Sequence, residues 1–243
     1  MTVNTAEHTA EHSADQTSEP AADPGLEGAP PSAASTAASS AAQSAAQART
    51  EHRHRLLEGM ATAVAKRGYA DTTIADIVRE AAVSRRTFYE HFATKADCLV
   101  ALYEASSHNA LKVLRGAVQP AQPWATQVER ALGAYFAVLG QSPALLRSLF
   151  IDILGLGAPG LAARRRVNDA IADLMLEVIN GPQPDGQMAS LRLTNDMALA
   201  VVGGINELIL SAIETDRAGD LHTLVAPASE LVRAVALSRA GPG

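Results

Sequence analysis

The stretch that most constrains this chain is residues 68–99, GYADTTIADIVREAAVSRRTFYEHFATKADCL. It reads as two short helices joined by a tight turn. Thr72 or Thr73 can cap the first helix, and Asp76, three residues after Thr73, makes a weak capping box. Ile74, Ile77, Val78 and Ala81 recur at helical spacing and give that helix one apolar face. Ala82-Val83 forms the turn. Ser84 caps the second helix, its side-chain oxygen placed to accept from the backbone N–H of Arg86 or Thr87. Phe88 and Phe92 supply the inward face, which leaves Arg85, Arg86, Thr87, Tyr89 and His91 to point elsewhere. This is a helix-turn-helix pattern with an outer face suited to DNA.

A recognition helix lies in the major groove with its N-terminal residues against base edges. Arg grips guanine O6 and N7 with two hydrogen bonds, so Arg85 and Arg86 predict at least one guanine in each half-site. Tyr89, one turn further on, can pack on a thymine methyl or reach a phosphate. Ser84 opens the same surface. Thr73, Thr87, His91 and Lys95 are expected phosphate contacts, which set register without reading sequence. Each has a plainer reading: Arg85 and Arg86 as a solvated pair, His91 as a partly buried structural histidine. Their joint spacing after this turn favours DNA.

The run Thr-Thr-Ile-x-x-Ile, then Ala-x-Val-Ser-x-x-Thr-Phe-Tyr-x-His-Phe, then Lys-x-x-Cys-Leu resembles the N-terminal DNA-binding domain of the TetR family of transcriptional regulators. The resemblance covers about Arg49 to Leu99, roughly a fifth of the chain, and includes the long helix before the motif. One position departs from it. The family usually has Gly where this chain has Ala82, and alanine fits there if the backbone stays near the helical region.

Residues 1–48 are rich in Ala, Ser, Thr, Pro and Glu and contain no Phe, Tyr, Trp or Ile. Such a segment buries too little apolar surface to offset the entropy of ordering. It reads as a disordered acidic leader, with a nascent helix near Ser40–Ala48, and lacks the pattern of a signal peptide. The net charge of −6 is unevenly spread. The leader has six acidic and no basic side chains, whereas residues 49–95 have nine Lys or Arg against six Asp or Glu. That local positive region is what meets phosphate. The leader could compete with DNA for it, or simply aid solubility. The single cysteine, Cys98, excludes an internal disulfide and a paired-cysteine metal site, fits a reducing cytoplasm and suits a small buried hydrophobe. No apolar run reaches the roughly 18 residues of a membrane span, so a soluble, cytoplasmic protein without a membrane partner is expected.

The expected fold class is all-α: residues 49–96 as the helix-turn-helix DNA-binding domain, and 97–243 as a helical effector-binding and dimerisation domain. Helices are predicted over Thr50–Arg67, Lys95 to about Gly116, Trp124–Gly140, Pro143–Gly155, Pro159–Asn180, Met188–Asp216 and Leu221–Ser238. Gly203-Gly204 sits mid-helix, where glycine costs about 1 kcal/mol relative to alanine, a cost that makes sense if another helix approaches closely. The resemblance implies that the last two helices pair with their copies across a two-fold axis. Gly203, Gly204, Ile205, Leu208, Leu231 and Val235 are the candidate dimer contacts, with plain monomer core as the alternative. It also implies a palindromic double-stranded operator and an unidentified small-molecule effector that relieves repression. Candidates to line the effector cavity are the large side chains Tyr103, Trp124, Tyr135, Phe136, Phe150 and Met175.

A rival reading starts from Gly155-Leu-Gly-Ala-Pro-Gly160, a literal GxGxxG after the strand-like Leu149–Leu154, with Glu177 some twenty residues on. No alternating strand–helix pattern surrounds it, so a loop between helices is the better reading. HExxH, Walker and GxSxG motifs are absent, and no cofactor or catalytic residue is indicated. An architectural DNA-binding protein without an effector is disfavoured by the length of the helical remainder. Arg164-Arg165-Arg166 reads as a solvated helix face.

Overall fold

The computed structural model describes residues 33–182 and 193–237. The helix-turn-helix and all later helices belong to one unit that begins at Ala45, apart from the start of the first helix. Every regular element among the described residues is helical: α1 (Ala33–Arg67), α2 (Ile74–Ala81), α3 (Arg85–His91), α4 (Lys95–Ala117), α5 (Trp124–Leu139), α6 (Pro143–Arg147), α7 (Ala158–Asn180), α8 (Asn195–Glu214) and α9 (Val225–Leu237). The first helix starts well before the predicted Thr50. The leader residues 1–32 lie outside the described residues.

The helix-turn-helix is built by local chemistry. Gly68, at φ +76°, ends α1. Thr73 rather than Thr72 caps α2 in a reciprocal capping box with Asp76. At the other end the Val83 N–H donates to Val78 O (3.1 Å) and the Ala82 N–H to Arg79 O (3.2 Å), the paired bonds of a Schellman stop. That stop holds Ala82 at φ 50°, ψ 46°, in the left-handed region. Ala82 therefore departs from the expected near-helical backbone, because both stop bonds close only if this residue reverses its twist. Arg55 Nη2 clamps the turn by donating to Ala82 O at 2.6 Å. Ser84 caps α3, accepting from the Thr87 N–H at 3.0 Å. Thr94 caps α4 with Asp97 in a second capping box.

Two cores hold this unit together. The first joins Leu56, Met60, Ile77, Phe88, Phe92 and Leu99 with Leu149 and Ile153 from the segment after α6. Gly59 lets α2 cross α1 here: a Cβ on it would lie 2.7 Å from Ile77 O and 2.8 Å from Ala81 N. The second core gathers Leu132, Phe136, Leu146, Ile179, Val201, Ile209 and Val232 from the helices between α5 and α9. α4 serves both, with Leu99 and Leu102 in the first and Ala110 and Leu114 in the second.

The predicted Pro143–Gly155 helix changes winding along its length. α6 gives way to a π-helical turn over Ser148–Asp152 and a 3-10 turn over Leu154–Leu156. The strand-like stretch before the GxGxxG is thus helical. Gly157 turns the chain at φ +68°, and Gly160 has no room for a Cβ against Ile153 O. The predicted start at Met188 lies outside the described residues, as does Ser238. α8 corrects one expectation, since Asn195–Glu214 has the length and mean hydropathy (1.6) of a membrane span. Its apolar side chains Ala198, Val201, Val202, Ile205 and Ile209 are buried in the second core.

Alanine in the left-handed region costs roughly 1–2 kcal/mol, and glycine forfeits part of that through unfolded-chain entropy. Ala82→Gly should therefore raise stability by about 1 kcal/mol, read as a higher urea midpoint at unchanged slope. A lower midpoint would mean that Ala82 does not occupy this conformation in solution.

Candidate nucleic-acid interface and effector cavity

Phe88, fully buried, and Phe92 hold α3 against the first core, and the opposite side of α3 faces out. Arg85 and Arg86 are exposed there, and Tyr89 is 59% exposed, an unusual state for a large aromatic. Tyr89 stands edge-on to Phe88 with ring centroids 5.6 Å apart. The Arg86 guanidinium bonds Glu90 at 3.1 Å, a solvent-exposed pair of the kind worth little and easily exchanged. Arg85 has no charged partner among the described residues.

The capping residues are committed differently from the sequence expectation. The Thr73 hydroxyl donates its proton to Asp76 Oδ2 at 2.6 Å, and its N–H donates to the same oxygen. Neither is left for a phosphate, and the Asp76 carboxylate occupies the positive end of α2. Ser84 and Thr87 share a hydroxyl–hydroxyl bond of 2.9 Å at the start of α3. Lys95 is the clearest correction. Its ammonium donates to the carbonyls of Tyr69 (2.8 Å), Ala70 (3.3 Å) and Thr72 (2.8 Å) and sits 4.2 Å from the Tyr69 ring centre. An ammonium has three donors, and all three point inward. Lys95 fastens α4 to the loop between α1 and α2 rather than to a phosphate.

His91 lies half-buried beside a basic group that sequence reasoning left unassigned. Burial, then Arg49, His52 and Arg53, push its imidazole below the usual histidine range. Arg53 also stacks on the Phe92 ring at 5.5 Å. The spacing of 49, 52 and 53 on one face of α1 was the available signal.

Two of the cavities in the helical remainder share part of their lining. One, of about 50 Å³, is lined by Tyr103, Ser107, Tyr135, Leu149, Phe150 and Arg164 among others. The second, of about 70 Å³, is lined by Leu114, Leu132, Tyr135, Met175, Val178 and Val202 among others. Tyr135, Ile171 and Asn206 border both. Trp124 and Phe136, expected in the lining, border neither; Phe136 is buried in the second core and Trp124 packs against it. Of the arginine run, Arg166 bonds Glu104, Arg165 is exposed and Arg164 turns to the cavity, so only part of it is a solvated face.

The candidate dimer residues also divide. Ile205 is buried within its own chain. The close approach at Gly204 is to Leu231 of the same chain, 2.8 Å from an added Cβ. Gly203 is exposed, with nothing within 4 Å of its Cβ position. Leu208, Leu231 and Val235 are half-buried.

Residues 56–102 match the family model described as bacterial regulatory proteins, tetR family. This part of the chain is a TetR-type helix-turn-helix domain. It is 32% identical over 78 residues to an uncharacterized HTH-type transcriptional regulator, YxbF, of Bacillus subtilis, which is 32% of this chain and 20% of that protein. The chain thus spans about a fifth of that relative. Against the fatty acid metabolism regulator protein of the same organism it is 20% identical over 182 residues, covering 73% of this chain and 92% of that one. The fold is shared with the crystal structure of a transcriptional regulator, FadR, from Bacillus subtilis in complex with stearoyl-CoA. That match has 16% identity and a TM-score of 0.60, over 74% of this chain and 96% of that one.

The cap geometry carries a pH dependence. Bonds from the Thr73 hydroxyl and amide, then from Arg79, hold the Asp76 carboxyl well below the usual carboxylate range. A carboxyl lowered on folding stabilises above its unfolded value, near 4, and loses that contribution as pH falls toward the folded one. Asp76→Asn should melt below wild type at pH 7, with the gap narrowing below about pH 4. A gap independent of pH would show that the charge of Asp76 plays no part.

Proposed function

We propose that this chain is a homodimeric repressor that binds a palindromic operator and is released by a small-molecule effector. The observation that carries the DNA reading is α3. Its inner face is anchored by Phe88 and Phe92, and its N-terminal outer face offers Arg85, Arg86 and Tyr89 to a groove. Arg49, His52 and Arg53 add positive charge beside it for phosphates. In a two-fold dimer the two copies of α3 would enter successive major grooves about 34 Å apart.

The effector reading rests on the cavities and on Leu149. This side chain lines the first cavity and belongs to the core that seats α3. A ligand that binds the DNA-incompetent arrangement better shifts the population away from operator binding. The predominantly apolar lining favours an effector with a long apolar part, in keeping with the stearoyl-CoA bound by the structurally similar FadR.

Footprinting on the intergenic DNA upstream of its own gene tests the operator. A two-fold symmetric footprint is expected, and Arg85→Ala/Arg86→Ala should weaken binding by roughly a hundredfold or more, at about 1–3 kcal/mol per base contact. Equal binding by the double variant would remove α3 as the reader. If selection from genomic fragments found no sequence preference, the regulator would not be sequence-specific.

The dimer has its own test at Gly203, a mid-helix glycine that nothing in its own chain requires. Gly203→Trp should leave helix content unchanged yet run as a monomer in light scattering and lose the operator footprint. A variant that remains dimeric would exclude this face of α8 from the interface.

A further inference from the structure

Helices α4 and α7 run parallel and in register. Arg166 bonds Glu104 at one end, and Arg115 bonds Glu177 at 2.7 and 3.3 Å at the other. Each pair is 62 residues apart in sequence, so the two helices advance together by about 16 Å between the pairs. Both change character in the same direction. On α4 the lining begins with Tyr103, Ser106 and Ser107 and continues with Leu111 and Leu114, then Val118 just past its end. On α7 it begins with Arg164 and Asn168 and continues with Ile171, Met175 and Val178. The polar ends coincide, and so do the apolar ends. Arg164 to Val178 spans about 21 Å at the helical rise.

At the polar end the charges are unevenly satisfied. Arg166 has the Glu104 carboxylate there, as Arg115 has Glu177 at the far end, whereas Arg164 has none among the described residues. Asn168, one turn on from Arg164, accepts from the buried Asn206 at 3.2 Å and keeps its own amide donors. Burial pushes the Tyr103 hydroxyl up, against the opposing influence of Arg164 and Ser107, so it stays protonated and able to donate.

We propose, building on the effector reading above, that the two cavities form one site for a long-chain aliphatic carboxylate. Arg164 grips the carboxylate, Asn168 and Tyr103 complete its hydrogen bonds, and the chain passes Tyr135, Ile171 and Asn206 toward Met175 and Val178. A planar guanidinium meets a carboxylate with two parallel bonds. Beyond it the walls are mostly apolar, with Leu114, Leu132, Ile171, Leu174, Met175 and Val178 in the lining. The cavities are narrow, so the chain must part α4 from α7 as it enters, on the side where Leu149 and Phe150 meet the first core.

The test measures binding of palmitate and of hexadecan-1-ol to the full chain by equilibrium dialysis, with Arg164→Gln, Arg164→Lys and Met175→Trp alongside. Wild type should hold palmitate at least tenfold more tightly than the alcohol. Arg164→Gln should lose about ten- to a hundredfold for palmitate alone, the range of a bond to a charged group, and Arg164→Lys should recover much of it. Met175→Trp should weaken both probes. Arg164 is only half-buried, and an unchanged melting temperature establishes that its variants fold. Equal affinity for acid and alcohol, indifference to Arg164→Gln, or no binding of either probe overturns the assignment. Operator footprinting on the same preparations separates the failures. A footprint without palmitate binding removes only this ligand class, whereas absence of any sequence-specific footprint removes the regulator reading beneath it.

Discussion

Everything in the larger unit depends on α4 belonging to two hydrophobic cores at once. Its first turns bury Cys98, Leu99 and Leu102 against α1 and the helix-turn-helix, and its later turns bury Ala110 and Leu114 among helices α5 to α9. A helix of 23 residues cannot bend cheaply between them, because its backbone bonds and close-packed side chains resist small deformation. The N-terminal end is tied further by Lys95, whose ammonium gathers three carbonyls of the loop after α1. Any change in how α4 lies against α7 must then reach the loop, α1 and the seat of α3 together.

Much of the reader was legible because short-range chemistry determines it. A threonine with an aspartate three residues later, a serine before two arginines, and phenylalanines four apart act within one turn of themselves, and their spacing is visible in one dimension. Ala82 was less legible. Its left-handed backbone follows from two stop bonds that must close simultaneously, and alanine carries no compositional mark of that state. Lys95 was misread for another reason: a four-carbon side chain can reach carbonyls 23 to 26 residues earlier in sequence, and no local pattern announces it.

The helical remainder was legible as helices and much less so as a site. Large aromatic and sulfur side chains were the natural candidates for a cavity wall, yet Phe136 is core and the charged contributor is Arg164. An arginine inside a run of three looks solvated by composition. Only the parallel register of α4 and α7 turns one of the three inward and pairs another with Glu104. The glycine pair in α8 divides the same way, since Gly204 admits Leu231 of its own chain and Gly203 admits nothing. The π-helical turn at 148–152 has no clear sequence signature either, although π turns often occur at functional positions. Here it delivers Leu149 to the first core and Phe150 to the cavity.

Cys98 is the only cysteine in the sequence and is wholly enclosed in the reader's core, with burial pushing its thiol up to about 12. A thiolate is the reactive form, so the folded protein presents almost none of it to an alkylating reagent. Modification requires the core to open. The native thiol is therefore a built-in clock for that opening, and its alkylation rate with and without DNA would report whether DNA changes how often this core opens. The same silence leaves the background clean for a fluorophore attached through a cysteine introduced on the surface.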